Sequence, residues 1–315
     1  MPFTAASVAD QSRKVFVITG GNSGIGLEAA KVLVARNATV VLACRDARKM
    51  GEAAASLRAA GAGRVEQVVL DLSSLASVRT AASELASRFP QIDVLVNNAG
   101  VMALPERKSA DGFELQFATN HLGHFALTGL LLGPLAAAPA GRVVTVSSIL
   151  HRRGHIVFED IPTPRAYDKR KSYSMSKLAN LLFAFELHRR LEAAGSTVTS
   201  LACHPGYSAT NLQGAGPSMS GSKVGAFFSE AANALVAQPA AIGALGTLLA
   251  ATSPEAKGGG YYGSTRLLGL RGYPEQSPST REANDPEVAR RLWEVSEQLT
   301  GVRFALEPRP ARVSA

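Results

Sequence analysis

Residues 14 to 26 read KVFVITGGNSGIG, and the fold is decided there. Val15 to Ile18 is a short, wholly apolar run rich in β-branched residues, as expected of a strand buried on both faces. It passes directly into Thr19-Gly20-Gly21-Asn22-Ser23-Gly24-Ile25-Gly26, beyond which Leu27, Ala30, Leu33 and Val34 recur at helical spacing. The order is therefore strand, glycine loop, helix. Glycines in such a loop let backbone N–H groups come close to a phosphate, and the following helix points its positive end at that charge. The spacing is GxxxGxG, not the GxGxxG of most dinucleotide folds, and a glycine loop by itself serves a tight turn equally well.

Outward from this unit the same rhythm continues. TVVLAC (39–44), RVEQVVL (64–70), IDVLV (92–96), RVVTVS (142–147) and TVTSLAC (197–203) are further strands separated by helical stretches. Near-continuous apolar strands joined by helices make an α/β fold, a doubly wound parallel sheet flanked by helices on both faces with right-handed crossovers. No solenoid repeat and no Pro/Ser-rich linker divides the chain, so residues 1–315 are expected to form a single domain. From Gln213 to Gly260 the strand rhythm stops and Ala, Gly, Ser and Pro dominate; small helices and a mobile, substrate-capping segment are expected there. Val288, Leu292, Trp293, Val295 and Leu299 predict an amphipathic helix ending near Gly301, and the Pro/Arg-rich end from Glu307 to Ala315 is expected to be disordered.

Composition narrows the function classes. With 315 residues, 46% hydrophobic and 18% charged, the chain is an ordinary globular protein, which excludes disordered and collagen-like classes. Cys44 and Cys203 have neither CxxC nor metal spacing, so both are expected to be core thiols in a reducing compartment. The opening MPFTAASVADQSR lacks the basic start and apolar run of a signal peptide, and a cytoplasmic location is expected. Leu115–Gly141 and Ala231–Pro254 carry no charge, yet both contain Asn, Gln and Pro and many small residues, so they read as buried helices, not membrane spans. The net charge of +8, densest at Lys169-Arg170-Lys171, comes with no nucleic-acid motif and no interleaved aromatics, so no nucleic-acid partner is expected. His121 and His124 stand at i and i+3 without a third ligand, so no metal is expected; they read as core or supporting histidines, as do His204 and Trp293.

The loop spelling TGGNSGIG resembles that of the short-chain dehydrogenase/reductase family, and the resemblance runs through nearly the whole chain. It is carried by Leu70-Asp71-Leu72 after the third strand, Asn97-Asn98-Ala99-Gly100 after the fourth, Tyr173-Ser174-Met175-Ser176-Lys177, and Pro205-Gly206 after the sixth. It implies a Rossmann-type sheet holding a nicotinamide dinucleotide. Gly20, Asn22, Ser23, Gly24, Ile25 and Gly26 would then hold the phosphates, and Asp71 with Leu72 the adenine. Asn98, Ala99 and Gly100 would line the cofactor, and Pro205, Gly206 and Thr210 would stand at its carboxamide end. It also implies a catalytic tetrad of Asn120, Ser148, Tyr173 and Lys177: Ser148 holds the substrate oxygen, Tyr173 moves the proton, and Lys177 also holds the nicotinamide ribose. Tyr173 and Lys177 stand at i and i+4 on a helix, one turn apart on one face, where a cation favours the phenolate and draws its pKa towards the working range.

Cofactor choice turns on the end of the second strand. An acid there would bind a ribose 2′-hydroxyl, but Cys44 occupies the place and Arg45 follows, a planar fork suited to a 2′-phosphate. Asp46 is expected to cap the next helix, and Ser23 supplies no second cation. NADP is thus expected ahead of NAD. The 25 residues from Ser148 to Tyr173, with His151-Arg152-Arg153-Gly154-His155-Ile156 inside them, and Asn120-His121-Leu122-Gly123-His124-Phe125 resemble the retinol dehydrogenase and protochlorophyllide reductase-like branch. That branch implies a bulky apolar alcohol, aldehyde or ketone as small-molecule substrate. No N-terminal apolar anchor is expected here, and pairing through the helices holding Asn120 and Tyr173, as a homodimer or homotetramer, is what the family implies. The reading of another class is a cofactor-binding sensor or scaffold without turnover; light-driven reduction is a third.

Overall fold

The computed structural model describes residues 1–161, 163–208 and 238–306. The six expected strands form as β1 (Val15–Thr19), β2 (Thr39–Cys44), β3 (Arg64–Val69), β4 (Val94–Asn97), β5 (Arg142–Val146) and β6 (Thr199–His204). Two more, β7 (Tyr261–Arg266) and β8 (Arg271–Gln276), complete a sheet of order β3-β2-β1-β4-β5-β6-β7-β8. Pairing is parallel throughout except for β8, which runs antiparallel to β7. Chain order reverses beside β1, so the carboxyl ends of β1 and β4 face a crevice, where open α/β sheets bind ligands.

The strands read as continuous apolar runs because alternate residues enter different cores. Phe16, Ile18, Val40, Leu42, Val94 and Val96 face α1 (Gly24–Ala35), α2 (Ala47–Ala60) and, later in the chain, the helix Ala240–Thr252. Val17, Val41, Leu95 and Val143 face the opposite core with α3 (Leu75–Arg88). That second layer also contains α4 (Leu115–Phe117), a π-helical turn (Ala118–Leu122), α5 (Gly123–Leu130), α6 (Leu132–Ala136) and α7 (Lys169–Ala193). Helix starts follow the expected capping chemistry: Asp46 accepts from Lys49 N at 3.0 Å and Asp168 from Arg170 N at 2.9 Å and Lys171 N at 2.8 Å.

The uncharged stretch Leu115–Gly141 is helical and buried as expected, and no helix among the described residues is long and apolar enough to cross a membrane. The segment expected to cap a substrate divides. Residues 213–237 lie outside the described part, while Ala240–Thr252, here α8, is a core helix whose Ala244, Leu245 and Leu248 pack with the β1 side of the sheet. This half is sheet covering and not a cap, because its apolar residues are needed to bury the face beside α1. The expected tail 307–315 also lies outside the described residues.

The amphipathic helix forms as α9 (Pro286–Thr300), started by Asp285 and ended by Gly301 at φ +63°. Its Trp293 stacks on Phe183 at 5.9 Å between ring centres and meets Phe125 edge-on at 5.0 Å, with Phe304 at 4.5 Å closing the cluster. α9 thus packs on α5 and α7 of the same chain through Phe125 and Phe183.

Candidate active site

The glycine loop and the turn after β4 are built against each other. Gly20 sits at φ +64°, and a Cβ on it would lie 3.0 Å from Ala99 Cα. A Cβ on Gly26 would lie 2.5 Å from Asn98 Nδ2 and 2.9 Å from Gly20 O. Side chains at these positions would push loop, helix and turn apart. Asn98 donates through Nδ2 to Thr19 O at 2.7 Å, and the N–H groups of Asn98 and Ala99 both donate to Thr19 Oγ1 at 2.9 Å. Thr19, read in the sequence only as the end of a strand, is the peg on which this turn hangs. The first turn of α1 carries no acid, so its positive end faces the loop uncompensated.

At the end of β2 the thiol of Cys44 lies buried beneath the backbone of Gly20, Gly21 and Asn22, and burial pushes its pKa up to about 11. A neutral thiol therefore stands where an acid would face a ribose. Arg45 is exposed beside it, and Asp46 is committed to its cap, whose bond to Lys49 N–H holds the carboxyl below its ordinary range. After β3, Asp71 accepts from Ser73 N at 2.9 Å and Ser73 Oγ at 2.6 Å, and Leu72 is buried. These groups suit a dinucleotide: close glycine backbone, an uncompensated helix start and a cation at the ribose position.

The structure brings Asn120, Ser148, Tyr173 and Lys177 around the same turn. A Cβ on Gly100 would lie 3.2 Å from Asn120 Oδ1 and 3.5 Å from Lys177 Nζ. Lys177 Nζ is 5.8 Å from the centre of the Tyr173 ring and donates to Val146 O at 3.0 Å. The Ser148 hydroxyl stands beside that of Tyr173, and its Oγ accepts from Leu150 N at 3.2 Å. Asn120 spends its amide on the neighbouring chain: Oδ1 accepts from Val101 N at 2.8 Å, and Nδ2 donates to Val101 O at 2.9 Å and Ser176 Oγ at 3.0 Å. Ser176 Oγ in turn donates to Tyr173 O at 2.7 Å.

Electrostatics depart from the expectation. Burial pushes Tyr173 up to about 12, opposed by the Ser148 hydroxyl, and pushes Lys177 down to about 8. The expected lowering of the phenol by its neighbour is overcome because both groups are desolvated and the ammonium is turned to a carbonyl.

The loop after β6 is shaped by His204 and Gly206. The His204 ring accepts from Gly206 N through Nδ1 at 3.2 Å and donates through Nε2 to Ser277 Oγ at 3.1 Å. Burial holds it neutral, down to about 3. Gly206 needs its φ of +66° and its missing side chain, since a Cβ would lie 2.6 Å from Leu270 O. Thr210 lies outside the described residues. Among the described residues no group of three or more His, Cys, Asp or Glu gathers to hold a metal.

Comparison with known proteins agrees with this arrangement. Residues 14–220 match the family profile described as short chain dehydrogenase. The chain is 41% identical to retinol dehydrogenase 14 of Mus musculus, covering 92% of this chain and 86% of that protein. It is 39% identical to retinol dehydrogenase 13 of Homo sapiens, with 92% and 85% covered. A crystal structure of an uncharacterized protein from Mycobacterium paratuberculosis is 43% identical, with a TM-score of 0.81 over 97% of this chain and 100% of that one. The chain belongs to the short-chain dehydrogenase/reductase family, in its retinol dehydrogenase-like branch, and is an NAD(P)-dependent oxidoreductase acting on CH–OH groups.

Proposed function

We propose that the chain transfers a hydride between NADP(H), in preference to NAD(H), and an apolar alcohol, aldehyde or ketone, with Tyr173 as general acid/base. The observation that carries this reading is the gathering of Asn120 Oδ1 and Lys177 Nζ at Gly100, with the Tyr173 ring beside Lys177 Nζ and the Ser148 hydroxyl beside that of Tyr173. When bound, the nicotinamide supplies the hydride. Ser148 holds the substrate oxygen against the tyrosine, since its own lone pair is engaged by Leu150 N–H and its proton is free to donate. Tyr173, protonated below about 12, gives its proton to a carbonyl oxygen, and the Lys177 ammonium opposes the charge left on the phenol. Asn120 keeps the turn and the start of α7 in register through Val101 and Ser176. The roles of Gly20, Asn22 to Gly26, Arg45, Asp71, Leu72, Pro205 and Gly206 at the cofactor are part of the same reading.

An apolar substrate follows from the branch and from the relatives named as retinol dehydrogenases. We also read the chain as a monomer, because α9 packs on α5 and α7 and the outer strand β8 contains Pro274, which has no N–H to offer an added strand. The test of the function is a separate titration of the protein with NADPH and NADH, followed by oxidation of bound NADPH on adding retinal or decanal. Tighter binding of NADPH by tenfold or more, with turnover, is expected. Equal binding of the two would remove the NADP preference, and binding without turnover across a panel of apolar carbonyls would favour the sensor reading.

A further inference from the structure

The turn Asn98–Gly100 has two anchors, Thr19 before it and Asn120 at the following Val101, and one buried side chain joins them. His124, 1% exposed, has Nε2 at 2.8 Å from Thr19 Oγ1 and Nδ1 at 3.0 Å from Asn120 O. A carbonyl oxygen only accepts, so Nδ1 carries the ring proton. Nε2 of the neutral ring then accepts, and Thr19 donates to it; Val96 O, at 3.3 Å, is the longer alternative for that proton. The threonine oxygen is left to receive the N–H groups of Asn98 and Ala99, both at 2.9 Å. From Val101 the Asn120 amide returns to the same segment. The bonds form a closed loop through Asn98–Ala99, Thr19, His124, Asn120 and Val101, and a single tautomer satisfies all of them.

Two further features tie His124 to this task. Its own carbonyl accepts from Thr128 Oγ1 at 2.7 Å, and Asn97 Nδ2 donates to that same oxygen of Thr128 at 2.9 Å, so the residue is fastened to the end of β4 on its backbone side as well. The carbonyl it holds lies in the π-helical turn, where Gly123 N reaches back five residues to Ala118 O. Such a wide turn leaves the regular i to i−4 ladder and needs lateral support. Burial, with the Lys177 charge nearby, pushes the ring down to about 4, so the neutral form that the bonds require persists through the neutral range.

We propose that His124 is a positioning residue which sets the spacing between the cofactor-facing turn hung on Thr19 and the Asn120 that braces Val101 and the start of α7. The proposal rests on the reading of the chain as a Tyr173 oxidoreductase. His124 acts through its two partners and touches neither reacting group.

The experiment divides the bridge. His124→Asn keeps a donor near Nδ1 and loses the contact to Thr19; His124→Gln keeps an acceptor near Nε2 and loses the contact to Asn120; His124→Phe fills the space and makes neither bond. For each variant, and for Thr19→Val and the double variant Thr19→Val/His124→Phe, the NADPH dissociation constant and the kcat and KM for decanal reduction are measured. Melting temperatures identify variants that fold. The expected result for His124→Phe is NADPH binding weakened several-fold and kcat lowered roughly 10- to 100-fold, with KM for decanal within threefold. The two single-bond variants fall between it and wild type, and the double variant is no worse than the poorer single one, because both residues serve one chain of bonds.

A folded His124→Phe with NADPH affinity and kcat within twofold of wild type overturns the proposal, as do fully additive losses in the double variant. Where His124→Phe does not fold, wild-type constants in both His124→Asn and His124→Gln overturn it. If wild type binds NADPH and turns over no carbonyl, the functional reading fails by itself, while the NADPH affinities of the variants still decide the role of His124.

Discussion

Arg45 stands exposed at the end of β2, beside a buried neutral thiol at Cys44, and cofactor selection is expected to rest on this pair. Arg45→Ala should weaken NADPH by about tenfold, or about 1.4 kcal/mol, and leave NADH within twofold, measured by fluorescence titration. Equal losses for both cofactors would mean that Arg45 serves the fold and not a 2′-phosphate. Lys177 supplies the second prediction at this scale. Burial disfavours its ammonium, so the group is charged below about 8 and neutral above it. The kcat/KM for carbonyl reduction, which reports the free enzyme, should be flat near neutrality and fall as pH rises through about 8. A profile that stays flat to pH 10 would contradict the part given to Lys177. That Tyr173 and Lys177 share one face of a helix was legible from their i, i+4 spacing; that this face belongs to the site came from the family resemblance. The sense of the phenol's shift was not, because it depends on how completely β5, the π-turn and α7 exclude water from both groups.

At the scale of elements, α9 is the clearest test of packing. Trp293 is 2% exposed and lies against Phe125, Phe183 and Phe304. Trp293→Ala should cost about 3–5 kcal/mol in urea denaturation, as expected for a large buried aromatic, while NADPH affinity stays near wild type. A loss below 1 kcal/mol would mean that α9 is only loosely held. Six strands and α9 were legible because each is a short apolar run or a 3.6-period stripe bounded by caps. β7 and β8 were not: Tyr261-Tyr262-Gly263-Ser264-Thr265-Arg266 alternates weakly, and Arg271-Gly272-Tyr273-Pro274-Glu275-Gln276 is a polar outer strand with a proline in it. Ala240–Thr252 carried two readings, a buried helix and part of a mobile capping segment, because small apolar residues are shared by both; its place against α1 and the sheet decides for the buried helix. His124 was legible as a buried histidine, yet its two bonds join residues 105 and 4 positions away and are visible only in the fold.

At the scale of the molecule, four buried histidines, His121, His124, His151 and His204, all lowered chiefly by burial, predict how the fold meets acid. His121 and His204 are pushed down to about 3 and His124 to about 4, all by burial. The unfolded chain binds these protons near pH 6.5, whereas the folded chain resists them, so stability falls as pH drops from 6.5 towards 4. Each group contributes a slope of up to about 1.4 kcal/mol per pH unit in that window. Urea midpoints at pH 7.5, 6 and 5 should therefore fall steeply, and replacing His121 by Phe should flatten the slope by about one proton; a pH-independent midpoint would contradict it. The packing of α9 on α5 and α7 makes a further expectation, a single species of one-chain mass in sedimentation velocity. A dimer that persists on dilution would show that another surface pairs.

Proton transfer by Tyr173 is tested most directly by Tyr173→Phe, assayed for NADPH affinity and for carbonyl reduction in the same preparation. The substitution removes one hydroxyl, its interaction with the Ser148 hydroxyl and the proton it donates, and keeps the ring beside Lys177. Turnover should fall by at least roughly a hundredfold, the range of a lost general acid, with NADPH binding within threefold of wild type. Retained turnover in a variant that binds NADPH normally would contradict it, and the proton would have to come from another group.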